Sequence, residues 1–154
     1  DVLTHLGIAY FKQKNYSCGA EILSGIDDNE QNETSCYFAA MCFKALNDTP
    51  RALLFMNKAI ALGISPNIAS YYGEIADSYE KRGRYRQAVA AYQKGLQFNE
   101  DPMIYYSLAS IYDTHLKNKR TALKYYKKYL QCKPPQKQQA YIAYAKSRVG
   151  ALSL

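Results

Sequence analysis

Residues able to do acid–base, nucleophilic or metal chemistry are few in this chain and poorly spaced for it. His5 and His115 are its only histidines, and neither stands near a nucleophile in a recognisable catalytic pattern. Cys18, Cys36, Cys42 and Cys132 form no CxxC pair and have no histidine at zinc spacing, so metal binding is not expected. Their even number permits disulfides without demanding them. A glycine-rich phosphate loop, HExxH and GxSxG are all absent, which removes the commonest phosphoryl-transfer, metalloprotease and esterase signatures. Acidic pairs such as Asp77 with Glu80 would share a helix face, yet no closed pocket is in prospect that could raise a carboxylate pKa. Neither an enzyme nor a bound cofactor is expected.

The other signals are tyrosine and charge. Sixteen tyrosines occur among 154 residues, and the formal charge of +7 is unevenly placed. Residues 1 to 77 carry 5 basic and 9 acidic side chains, net −4; residues 78 to 154 carry 15 and 4, net +11. Such asymmetry can mark an anionic partner, or simply solvated outer faces. The length suits one domain able to bury a continuous core. No apolar run approaches the roughly 18 residues of a membrane span, so the chain reads as soluble. It opens at Asp1 without a methionine, so an excised or processed piece, with no leader left to read, is expected.

Four stretches superimpose on one another. Tyr10, Phe43, Tyr79 and Tyr112 recur at steps of 33, 36 and 33 residues, and a small residue precedes each by three positions: Gly7, Ala40, Ala76 and Ala109. A second small slot, Gly19, Ala52, Ala88 and Ala122, repeats at 33, 36 and 34. This periodicity predicts paired helices stacked as a solenoid, each unit burying its apolar face against its neighbours. The pairs are expected at Val2–Gln13 with Ser17–Leu23, Glu33–Ala45 with Thr49–Leu62, Pro66–Arg82 with Tyr85–Gln97, and a fourth starting at Asp101 and Pro102. A last helix is expected over Gln136–Val149. Thr49 with Pro50, and Asp101 with Pro102, read as N-cap and first-turn pairs. The 36-residue step puts the extra residues in the loop 63–67, and the turn 114–120 has one residue more than its counterpart in the third unit. Tyr10, Tyr79, Tyr92, Tyr112 and Tyr126 fall in repeating core slots.

The segments AYFKQKNY, Ala9 to Tyr16, and ADSYEKRGRYRQAVAAYQKGL, Ala76 to Leu96, resemble the tetratricopeptide repeat, a helix-turn-helix of about 34 residues. In the third unit Tyr72 stands in the family's tryptophan slot, followed by Ile75, Ala76, Tyr79, Gly83, Tyr85, Ala88 and Tyr92. The resemblance covers about residues 1 to 134 and implies an all-α, right-handed superhelix of four helix-turn-helix units, about 1–32, 33–65, 66–100 and 101–134. A capping helix at 136–149 completes a single domain over 1–154. Peptide binding, not a reaction, is what it implies.

In the family, one strip of each first helix faces a concave groove. Helical spacing places on that strip Thr4, Ile8 and Phe11; Tyr37, Met41 and Lys44; Gly73, Asp77 and Glu80; and Tyr106, Ser110 and Asp113, with Glu74 beside the third set. The lysine and asparagine that hold a chaperone's terminal carboxylate in some members are missing: Thr4, Tyr37, Gly73 and Tyr106 occupy the lysine slots. The expected peptide-binding residues are Tyr37, Met41, Glu74, Asp77, Glu80, Tyr106 and Asp113, and the expected ligand is a protein or peptide with basic and apolar side chains. Arg82, Arg84 and Arg86 at the third turn, with Lys124, Lys127 and Lys128 on the fourth second helix, form a basic surface. This supports a rival reading as a nucleic-acid or other anion binder, for which no motif speaks. A regulatory portion of a larger enzyme or sensor is the third reading.

Overall fold

The computed structural model describes residues 2–63 and 67–153. Among them are the helices α1 Val2–Lys12, α2 Tyr16–Ser24, α3 Glu33–Ala45, α4 Thr49–Leu62, α5 Ile68–Lys81, α6 Tyr85–Gly95, α7 Pro102–Thr114, α8 Lys119–Gln131 and α9 Gln139–Leu152, the last preceded by a 3₁₀ turn at Gln136–Gln138. No strand occurs among the described residues. The fold is all-α, built of consecutive antiparallel helix hairpins with a further C-terminal helix. Pro66 and residues 64–65 of the inter-unit loop, where the third pair was expected to begin, lie outside the described residues.

The chain forms two compact units, Asp1–Ser78 and Tyr79–Leu154, which differ in net charge. The first unit carries the acidic excess and the second the basic one.

Each hairpin closes with the same local device. After the first helix one residue adopts a left-handed backbone: Lys14, Asn47, Gly83 and Lys117, with φ of 61°, 60°, 70° and 53°. The next residue, Asn15, Asp48 or Arg84, then returns its N–H to the carbonyl of Tyr10, Phe43 or Tyr79, five positions back. That bond satisfies a carbonyl the ending helix would otherwise leave bare. In the fourth hairpin the extra residue is absorbed here, and Asn118 reaches the carbonyl of Tyr112 from six positions away, at 2.8 Å. Only the third turn uses glycine at the left-handed position, where it carries no Cβ penalty.

The same residues cap the second helices. Asn15, Asp48 and Asn118 accept from the backbone N–H of Cys18, Arg51 and Thr121, whereas Arg84 makes no side-chain cap bond to α6. The cap of α4 is therefore Asp48, not Thr49: the carboxylate one residue earlier reaches the amide of Arg51 at 3.1 Å, which places Thr49 and Pro50 inside the first turn. Asp101 caps α7 as expected. Asn32 and Ser35 form a reciprocal capping box at α3.

Small residues let the helices approach. Ala40, Ala76, Ala88, Ala109 and Ala122 are fully buried. A Cβ on Gly7 would stand 2.3 Å from Cγ of Leu23, and one on Gly19 would stand 2.9 Å from Sγ of Cys42, so a larger residue at either contact would have to displace its neighbour. Phe43 stacks on Phe55 with centroids 5.6 Å apart. In the second unit Tyr105, Ala109, Ala122, Tyr126, Tyr129 and Ala145 form one buried cluster. Of the tyrosines expected in core slots, Tyr92 and Tyr126 are buried, while Tyr10, Tyr79 and Tyr112 lie half-buried.

Two substitutions test this construction. Ala122→Arg forces a cation into a fully buried helix contact, so we expect a loss of more than ~4 kcal/mol in denaturant unfolding. Arg84→Asn supplies the cap that α6 lacks, and should raise stability by about 1 kcal/mol in the same measurement.

Candidate functional site

In the first unit, α3 and α5 bring the expected residues into two adjoining groups. Tyr37 stacks on Tyr71 with ring centroids 4.9 Å apart and planes at 26°, and the Tyr71 hydroxyl donates to the Glu33 carboxylate. These rings, with Thr34, Phe38, Asn67 and Ser70, line a pocket of about 290 Å³. Burial, followed by the nearby Glu74 charge, pushes the Tyr37 hydroxyl above its ordinary pKa, so it stays protonated and able to donate. One turn further along, Lys44 places Nζ 2.5 Å from a Glu74 oxygen and 2.6 Å from an Asp77 oxygen. Burial lowers the Lys44 pKa, but the hydrogen bonds to Asp77 and Glu74 outweigh it and the net shift is upward. The two acids expected to attract an incoming cation thus already share an internal one, leaving the trio one net negative charge. Met41 is half-buried, and a Cβ on Gly73 would meet nothing within 4 Å.

The second unit holds Glu80, Tyr106 and Asp113. Glu80 accepts from the hydroxyl of Tyr92 at 3.3 Å. Tyr106 sits in an aromatic cluster, its ring edge-to-face with Tyr126, Tyr129, Tyr141 and Tyr144 at centroid separations of 4.9–6.3 Å. Asp113 is held by Arg148 of α9 through two parallel bonds, Nε at 2.7 Å and Nη2 at 2.8 Å, and its side chain is only 6% exposed. The Arg148 bonds hold the carboxyl below its ordinary pKa against the opposing effect of burial, and the Tyr126 hydroxyl, 3.4 Å away, adds to them. So α9 lies along the very strip of α7 that the sequence marked as a binding face. Sequence reasoning missed Tyr141, Tyr144 and Arg148. Their i, i+3, i+7 spacing on the last helix was the signal available.

The basic residues are solvent-facing. Arg82, Arg84, Arg86, Lys124 and Lys127 are exposed and Lys128 is half-buried, with its Nζ 5.2 Å above the Tyr105 ring. Arg86 lines a pocket of about 410 Å³ with Val89, Tyr112, Leu116 and Asn118, and nearby Tyr85 stacks on His115 at 3.7 Å. Lys124, Lys127 and Lys128 share a shallow depression on α8 with Arg120, Leu123 and Gln131.

All four cysteines are free thiols. Cys36 and Cys42 are buried, and burial lifts the Cys42 thiol to about 11, which suits small core hydrophobes. No group of side chains able to hold a metal occurs among the described residues. None of the described helices is long and apolar enough to cross a membrane.

A family model described as tetratricopeptide repeat matches residues 69–102 and 104–135. The chain is also similar to a TPR repeat-containing protein of Methanocaldococcus jannaschii, 26% identical over 108 residues. That match takes in 69% of this chain and 18% of the length of that relative. Over residues 69–135 the chain is thus similar to tetratricopeptide repeats, and its consecutive helix hairpins are the arrangement such repeats form. Such repeats generally act as non-catalytic scaffolds that bind proteins or peptides.

The Asp113–Arg148 pair has a pH signature. Because the native Asp113 pKa is depressed, its contribution to stability is complete above the ordinary carboxyl value of about 3.9 and is lost as pH falls through the native value. Asp113→Asn should therefore melt below the wild type at pH 7, with the gap closing only in the acid range. A gap independent of pH down to about 2 would contradict this assignment.

Proposed function

We propose that this chain is a non-catalytic scaffold that holds a protein segment bearing basic and apolar side chains on its first-helix strip. Tyr37, Met41, Glu74 and Asp77 would receive the segment in the first unit, and Glu80, Tyr106 and Asp113 are the corresponding residues in the second. The observation that carries the reading is the seating of α9. On the α7 strip, Tyr141 and Tyr144 pack on Tyr106 while Arg148 takes both oxygens of Asp113. A helix bearing aromatic residues and a cation is therefore the kind of ligand this strip accommodates, through apolar anchoring and a bidentate charge-assisted contact.

Two consequences follow for where a partner would bind. With Tyr106 and Asp113 covered by α9, Tyr37, Met41 and the Lys44–Glu74–Asp77 trio carry the accessible part of the strip. There the residual charge is small, so the apolar contacts at Tyr37 and Met41 would supply most of the affinity and the acids would select against anionic segments.

Selection from a random peptide library on the purified chain should enrich sequences in which arginine or lysine stands near leucine or aromatic residues. Tyr37→Ala combined with Asp77→Lys should abolish binding of the enriched peptides, measured by fluorescence anisotropy. Lys124→Glu with Lys127→Glu and Lys128→Glu should leave it largely intact. The reading is overturned if the lysine variant loses those peptides while the strip variant, folded by circular dichroism, keeps them.

A further inference from the structure

From Thr114 to the C-terminus the chain has no acidic residue, while it carries ten basic ones. The last carboxylate before this stretch, Asp113, is already committed to Arg148. Within the stretch, α8 turns Ala122, Tyr126 and Tyr129 inward, where all three are fully buried. Its opposite face presents Arg120, Lys124, Lys127 and Lys128 around Leu123 and Gln131, enclosing a depression of about 420 Å³. Arg120 and Lys124, and Lys124 and Lys128, stand four residues apart, a spacing at which like charges repel along a helix. None of these four side chains makes an ion pair among the described residues. This face of the helix is therefore positive, and an anionic ligand would relieve the repulsion along it.

We infer that this face of α8 is a docking surface for an acidic protein segment that carries an apolar side chain between its carboxylates. Charge complementarity selects an anionic occupant, because Arg120, Lys124 and Lys127 are exposed without an ion-pair partner, while Lys128, half-buried over the Tyr105 ring, lines a neighbouring pocket with Glu100. Leu123 selects among anions. It is half-buried, lines the depression and, with the alkyl stems of the neighbouring lysines, gives an apolar surface that a leucine or phenylalanine would cover and a phosphate would not. Single-stranded nucleic acid would instead call for exposed aromatic faces on which bases stack. The tyrosines of α8 do not provide them: Tyr126 and Tyr129 are buried, and Tyr125 is stacked against Tyr105 and Tyr112. The surface is distinct from the first-helix strip and takes a ligand of the opposite charge.

The probe is a short synthetic peptide with leucines at i, i+4 spacing and glutamates on either side of them. It is compared with polyglutamate and with a single-stranded oligonucleotide, all by fluorescence anisotropy on the intact chain. The leucine-bearing peptide should bind more tightly than the other two and weaken as salt rises. Lys124→Glu with Lys127→Glu should lower its affinity roughly tenfold or more, and Leu123→Ser should weaken the peptide while leaving polyglutamate unchanged. Tyr37→Ala with Asp77→Lys should have no effect on this probe, which separates the α8 surface from the strip. If the charge reversal disturbs folding, Lys124→Gln with Lys127→Gln gives the same ordering with a smaller loss. The inference is overturned if the charge variants leave peptide binding unchanged, if Leu123→Ser is without effect, or if the oligonucleotide binds as tightly as the peptide.

Discussion

The close approach of helices at small residues is the constraint on which the remaining structure depends. At Gly7 and Gly19 a single added carbon would collide with Leu23 or Cys42, and the alanines in the corresponding slots of later hairpins are all buried. Helices drawn this near leave room for large side chains only to either side of the contact. That is why the aromatic residues are sorted into flanking layers, Phe43 on Phe55 in the first unit and the tyrosine cluster in the second. The turn geometry serves the same end. A left-handed residue and a backbone bond to the repeating aromatic position fix where each second helix starts, and hence which of its faces meets the small slot.

Tyrosine does two jobs in this arrangement. Its ring fills the flanking layer, and its hydroxyl must find a partner once the ring is buried. Tyr92 reaches Glu80, Tyr105 reaches Glu100, Tyr126 reaches Asp113 and Tyr129 reaches Gln138. No buried side-chain nitrogen or oxygen among the described residues lacks a partner. In the second unit every acidic side chain is therefore engaged as an acceptor or ion-pair partner. The carboxylates of the binding strip cannot be counted as free charge for a ligand, since Lys44 and Arg148 already claim three of them.

The two units face the solvent with opposite character. The first carries net −4 and the second +11, and nearly all of the second unit's excess lies from Thr114 onward, where ten basic residues meet no acidic one. Opposite charge on separate units suits partners of different chemistry better than a single ligand. The comparison with the archaeal relative covers 18% of that protein's length, so it bears on the repeats alone.

Much of this was legible from the residues in order. The second hairpin was expected at Glu33–Ala45 and Thr49–Leu62 and lies there, because helix bounds are set by apolar periodicity, caps and turns, all of which act within about five residues. The small and aromatic slots were legible for the same reason. Where a local rule misled, at Thr49, the error was one residue, since Asp48 competes for the same cap and its carboxylate reaches the amide. What only the tertiary structure decided was which charges meet. Lys44 finds Glu74 thirty residues away and Arg148 finds Asp113 thirty-five residues away, contacts that depend on how one helix lies across another rather than on spacing within either. Sequence alone showed which residues could face a ligand, and packing determined that α9 and Lys44 already occupy part of that face.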